Sequence, residues 1–117
     1  MSDELRKKAR NLYIMGLYAE KKGFNSEAVI NYCKALFAVC DSFLKEKIDM
    51  IPESHTERFR LLQKNDVQLY VICDKLFPMY QATYTKISTE KEVEHVRKRV
   101  CEVFRREGID IPIEEDL

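Results

Sequence analysis

The chain is poor in the residues that break helices and in those that build special sites. Of 117 residues only three are Gly and three are Pro, and Trp is absent. So few turn-formers, with little alternation of apolar and polar residues, exclude a strand-rich fold with many tight turns. Charge of one sign is missing too: 20 basic and 20 acidic side chains cancel. A domain living by phosphate contacts carries a basic excess, so general nucleic-acid binding is disfavoured and any such surface is a local patch. No run of about 18 apolar residues is present, which leaves no candidate membrane span. The first residues, Met1-Ser-Asp-Glu-Leu-Arg-Lys-Lys8, lead into no apolar segment of the secretory kind.

The four cysteines, Cys33, Cys40, Cys73 and Cys101, form no Cys-x-x-Cys pair. Cys33 and Cys40 would stand roughly 10 Å apart along one helix, beyond disulfide reach. They read as small buried hydrophobes in a reducing, cytoplasmic setting, and neither a metal nor a cofactor is expected. No phosphate-binding glycine loop and no Ser/His/Asp arrangement is present either.

What is present is helix-period text with 45% apolar and 34% charged residues, enough for one core and one domain. A first helix is predicted from Ser2 or Asp3 to Lys22, with Leu5, Ala9, Leu12, Met15 or Gly16 and Ala19 inward, stopped by Gly23. A second, capped by Asn25 or Ser26, runs to Lys47. Tyr32, Leu36 and Val39 belong to its broad apolar stripe, as a core face or a dimer face. So much apolar girth requires cover on more than one side, which makes this helix central or puts it against a second copy. Tyr32, mid-core, requires a partner for its hydroxyl.

Ile48-Asp-Met-Ile-Pro-Glu-Ser54 is the longest irregular stretch. Ser54 and Glu57 fit a capping box opening a short helix, Thr56 to Lys64. A fourth helix follows from Val67 to Tyr84, with Pro78 expected to kink or split it and with Leu69, Tyr70, Cys73, Leu76, Phe77, Tyr80 and Tyr84 inward. Thr89 and Glu92 cap a last helix whose narrow stripe is Val93, Val96, Val100, Val103 and Phe104. Gly108 ends it, and residues 109–117 form an acidic tail that lies on the surface or hangs loose. The predicted fold is an all-α, up-and-down antiparallel bundle of four long helices and one short one over residues 1–108.

His55, Arg58 and Arg60 are the candidate site. A histidine and two guanidinium groups beside the free amides of a helix start suit an anion such as a nucleotide. Against this stands the simpler possibility of a cap with its arginines in solvent or paired with acids. His95 and the basic run Arg97-Lys98-Arg99 share their helix with many glutamates and read as a solvated face.

Two resemblances follow from the first half. Gly16, Gly23, Ala28, Tyr32 and Ala35 match, in order, the small and aromatic positions of one tetratricopeptide unit. No second copy follows, and a solenoid needs about three. Ala28-Val-Ile-Asn-Tyr-Cys-Lys-Ala-Leu-Phe-Ala-Val-Cys40, with Ile51-Pro-Glu-Ser-His-Thr-Glu-Arg-Phe-Arg-Leu-Leu62, resembles the second helix and following loop of the HEPN family, over residues 3–107. The resemblance implies an up-and-down helical bundle, a homodimer, and the company of a minimal nucleotidyltransferase in a toxin–antitoxin pair, as in small prokaryotic members. Catalytic members carry an Arg a few residues ahead of a late His. Here the stretches 48–51 and 88–91 that precede His55 and His95 hold no Arg. The expectation is a non-catalytic nucleotide- or partner-binding protein, with a divergent ribonuclease using His55 or a peptide-binding adaptor as alternatives.

Overall fold

A computed structural model describes residues 3–117. The described residues hold no strand. They fold into α1 (Asp3–Lys21), α2 (Asn25–Ile48), α3 (His55–Asn65), α4 (Val67–Ala82), α5 (Glu90–Arg106) and a terminal 3-10 turn, Glu114–Asp116. Four helices are long and α3, at 11 residues, is the short one.

Glycine ends two helices for the same reason. Gly23 and Gly108 take φ of +77° and +68°, a region costly for residues with a Cβ. In each case the residue beyond the glycine bonds back across the last turn, Phe24 to the Ala19 carbonyl at 2.8 Å and Ile109 to that of Phe104 at 2.9 Å. This closure leaves Phe24 rather than Asn25 or Ser26 at the cap position of α2, with no side-chain cap bond. Ser26 lies inside the first turn instead, and its hydroxyl accepts from the Ser88 amide at 2.9 Å, tying α2 to the α4–α5 loop.

The last helix begins as expected. Thr89 Oγ1 accepts from the Glu92 amide and Glu92 Oε1 from that of Thr89, at 3.1 and 2.8 Å. At α3 only half the box closes: Ser54 Oγ accepts from the Glu57 amide, whereas Glu57 Oε1 reaches past Ser54 to the Glu53 amide at 3.1 Å. The cap of the first helix called for at Ser2 lies outside the described residues, and Asp3 is already helical.

α2 runs through the middle of the molecule and packs on α1, α5, α4 and α3. Tyr32, Leu36 and Val39 are buried within the single chain, so of the two roles open to them they take the core. The Tyr32 hydroxyl finds its partner in Glu20 Oε1 at 2.7 Å. α1 buries Ala9, Tyr13, Gly16 and Ala19, and turns Met15 outward. Gly16 is the contact point: the Tyr32 ring lies where a Cβ would stand.

α4 continues unbroken through Pro78 and stops at Ala82. Tyr84 therefore falls in the turn beyond, and the residue is 73% exposed rather than inward. The valine stripe of α5 is buried along with Cys101 and Phe104. The tail lies down on α1: Ile109 and Pro112 are buried, and the Arg6 and Arg10 guanidiniums donate to the carbonyls of Glu107 and Asp110. All four cysteines are free and buried, with the Cys40 and Cys73 sulfurs 3.4 Å apart.

Candidate functional site

His55 and Arg58 come together as neighbours one turn apart on α3, and both face α2. There Arg58 meets a residue that sequence spacing alone did not select. Asp41 is buried near the middle of α2, and Arg58 grips its two oxygens through Nε and Nη2 at 2.8 and 2.9 Å. The side chains of this pair are each only 12% exposed. Burial pulls the Arg58 pKa down, but the hydrogen bond and charge of Asp41 outweigh it and leave the guanidinium more firmly charged than usual. The Arg58 guanidinium also lies over the Phe37 ring, 5.1 Å from its centroid.

The remaining Arg58 nitrogen, Nη1, sits 2.8 Å from His55 Nδ1. An arginine can only donate, so Nδ1 must accept and the neutral imidazole carries its proton on Nε2. Phe37, Phe77 and Tyr80 surround the ring, with centroids 5.0 to 5.7 Å away. Burial, then the Arg58 charge, hold the His55 pKa below its ordinary 6.5, with Asp41 pulling weakly the other way. His55 is thus neutral at pH 7, and its one basic nitrogen is already taken by Arg58.

A base whose folded pKa lies below its unfolded one binds fewer protons when folded, so acid favours unfolding. Stability is expected to be level above about pH 6.5 and to fall as pH drops below it toward the depressed folded value. His55→Gln should flatten this part of the curve in denaturant melts recorded across pH 5 to 7. An unchanged slope in the variant would place the titration elsewhere.

Arg60 does not join the cluster. Two residues on from Arg58 it projects from another side of α3, exposed, and makes no contact with Asp41 or His55. The free amides of the helix start are also less available than the spacing suggested. The Glu57 amide is bonded to Ser54, and the Glu57 carboxylate puts negative charge where an anion would sit. The positive charge comes instead from two other helices. Lys8 of α1 and Lys34 of α2 line a groove of about 360 Å³ whose walls include Phe37, Tyr80, His55 and Arg58. Both lysines are exposed. With Asp41 cancelling Arg58, they leave the groove net positive.

His95 is exposed on α5, and Lys98 and Arg99 there pair with Glu94 and Glu102. Among the described residues no group of His, Cys, Asp and Glu is arranged to hold a metal ion. None of the described helices is long and apolar enough to cross a membrane. No protein-family model, no curated protein and no solved structure matches the chain.

Proposed function

We propose that the protein is a non-catalytic, HEPN-like binding module that takes a nucleotide in the groove lined by Lys8, Lys34, Phe37 and Tyr80. The observation that carries this reading is two lysines, without an ion-pair partner among the described residues, that share a groove with aromatic rings. Ammonium groups suit phosphate oxygens, and ring faces suit a base. The Asp41–Arg58–His55 chain is a rigid wall of the groove rather than the anion's main holder.

The same chain argues against the ribonuclease alternative. A general base needs a free lone pair within reach of the proton that it removes. In His55 that lone pair accepts from Arg58. The adaptor alternative needs an open face on the α1–α2 hairpin, and α5 and α4 pack against α2 there.

The homodimer and the nucleotidyltransferase partner come from the family resemblance. With α2 covered inside one chain, its apolar width no longer argues for a second copy. A dimer would use other surface, and the α4–α5 face, which exposes Val67 and Val71, is one that offers apolar side chains. A monomer in sedimentation at micromolar concentration would remove the dimer from this reading.

Titrating AMP, ATP and a short RNA while following amide and aromatic NMR signals tests the groove. Shifts should gather at Lys8, Lys34, Phe37, His55 and Tyr80. The double variant Lys8→Ala, Lys34→Ala alters two exposed side chains and should weaken binding roughly tenfold or more with the melting curve unchanged. Unaltered affinity, or shifts gathered elsewhere, would sink the reading.

A further inference from the structure

The tail that follows Gly108 creates a second groove between α1, α5 and itself, sharing no lining residue with the first. It encloses about 440 Å³, with Leu17, Ile111 and Ile113 as apolar walls and Glu20, Lys21, Arg97 and Glu114 as its charged lining. Both bonds that the Glu20 carboxylate accepts fall on a single oxygen. The Tyr32 hydroxyl and Arg97 Nε each donate to Oε1, at 2.7 and 3.0 Å. Among the described residues, Glu20 Oε2 and the two Nη nitrogens of Arg97 carry no hydrogen bond.

The groove therefore offers one carboxylate acceptor and one guanidinium edge, held beside each other by the Nε–Oε1 bond and set against aliphatic walls. Its charged lining is balanced, Glu20 and Glu114 against Lys21 and Arg97. A ligand of one sign would be drawn by one pole and repelled by the other. A ligand carrying both signs on adjacent groups satisfies both.

We propose that this groove binds a free α-amino acid with a branched aliphatic side chain. The ligand carboxylate takes the Nη edge of Arg97, its ammonium takes Glu20 Oε2, and its side chain lies between Leu17, Ile111 and Ile113. Such a site, mostly apolar with a few convergent polar groups, is the usual build of a small-molecule pocket. The tail supplies two of the walls, so occupancy also fastens the tail to α1.

L-Leucine titrated into the full chain, read by the methyl signals of Ile111 and Ile113 and the Nε signal of Arg97, provides the test. These signals should move together and saturate. The half-ligands 4-methylpentanoate and 3-methylbutylamine each lack one pole and should bind at least about tenfold more weakly. Glu20→Gln keeps an acceptor for Tyr32 and Arg97 but removes the charge. It should weaken leucine about tenfold without weakening 4-methylpentanoate. Ile113→Ser changes an exposed wall residue and should lower affinity in a protein that still melts normally. Leucine leaving these signals unmoved, or a half-ligand binding as tightly as leucine, overturns the proposal. Because the residues differ, either result leaves the nucleotide reading standing.

Discussion

Asp41→Ala is expected to cost on the order of 3–5 kcal/mol, the usual result of stranding one member of a buried ion pair. The two side chains are 12% exposed each, and Arg58 pairs with no second carboxylate among the described residues. Without Asp41 the guanidinium keeps its charge, its contact with the Phe37 ring and its bond to His55, but nothing neutralises it. Arg58→Ala should be about as harmful, because it strands Asp41 inside α2. The joint replacement Asp41→Leu, Arg58→Met removes both charges and should recover most of the loss, since apolar substitutes for buried pairs are often neutral or stabilising. Urea denaturation of the four proteins measures this. A single variant losing less than about 1 kcal/mol would mean that water reaches and screens the pair. For the same reason Arg58→Ala is a poor probe of ligand binding, because it alters the fold before it alters affinity.

The second large effect is expected at Gly16. A Cβ there would stand 2.5 Å from Cδ1 and Cε1 of Tyr32, closer than any real contact. The ring has little freedom to retreat, being fully buried, bonded through its hydroxyl to Glu20 and packed 5.0 Å from the Tyr13 ring. Overpacking of this kind costs about 1–3 kcal/mol. The gain in helix propensity from Gly to Ala, roughly 1 kcal/mol, offsets only part of it. Gly16→Ala should therefore destabilise, and Gly16→Val should do so more strongly. Tyr32→Phe would not rescue either variant, because the clash is with ring carbons, whereas Tyr32→Leu should. Calorimetric melting of the single and paired variants checks this, and a Gly16→Ala protein more stable than the parent would contradict it.

Helix number, order and buried faces were readable because each rests on local rules. The 3.6-residue period of α5 picked out five of its six buried residues, missing Cys101, and Thr89 with Glu92 marked its first turn. Gly23 and Gly108 marked ends that only a positive φ allows. Misreadings arose where a tertiary contact overrode a local preference. Met15 was as good a stripe residue as Gly16, but the Tyr32 ring needs the space that only glycine leaves. Ser26 looks like a cap, yet the Ser88 amide claims its hydroxyl.

Half of the candidate site was readable. His55 and Arg58 share a helix face by spacing alone, and Arg60 by the same spacing does not. Asp41 did carry a signal, being the one charged residue between Lys34 and Lys45 in a helix otherwise built for burial. A lone carboxylate in such a place demands a cation, and Arg58 was the nearest one already under suspicion. Lys8 and Lys34 carried none. They are ordinary exposed lysines until α1 and α2 are laid beside α3, and only the tertiary fold makes them neighbours.

The contacts of the tail set an order of events during synthesis. α1 can pair with α2 as soon as the short turn at Gly23 and the following helix have left the ribosome. Arg6 and Arg10, however, wait for carbonyls 101 and 100 residues further along. Until those carbonyls are made, the opening turns of the first helix therefore have a hairpin partner but no strap. Loop closure over so long a span is slow and entropically costly, so these contacts form among the last. The groove beside Glu20 does not exist until then. Any ligand held there reads out a tail that has already docked on α1.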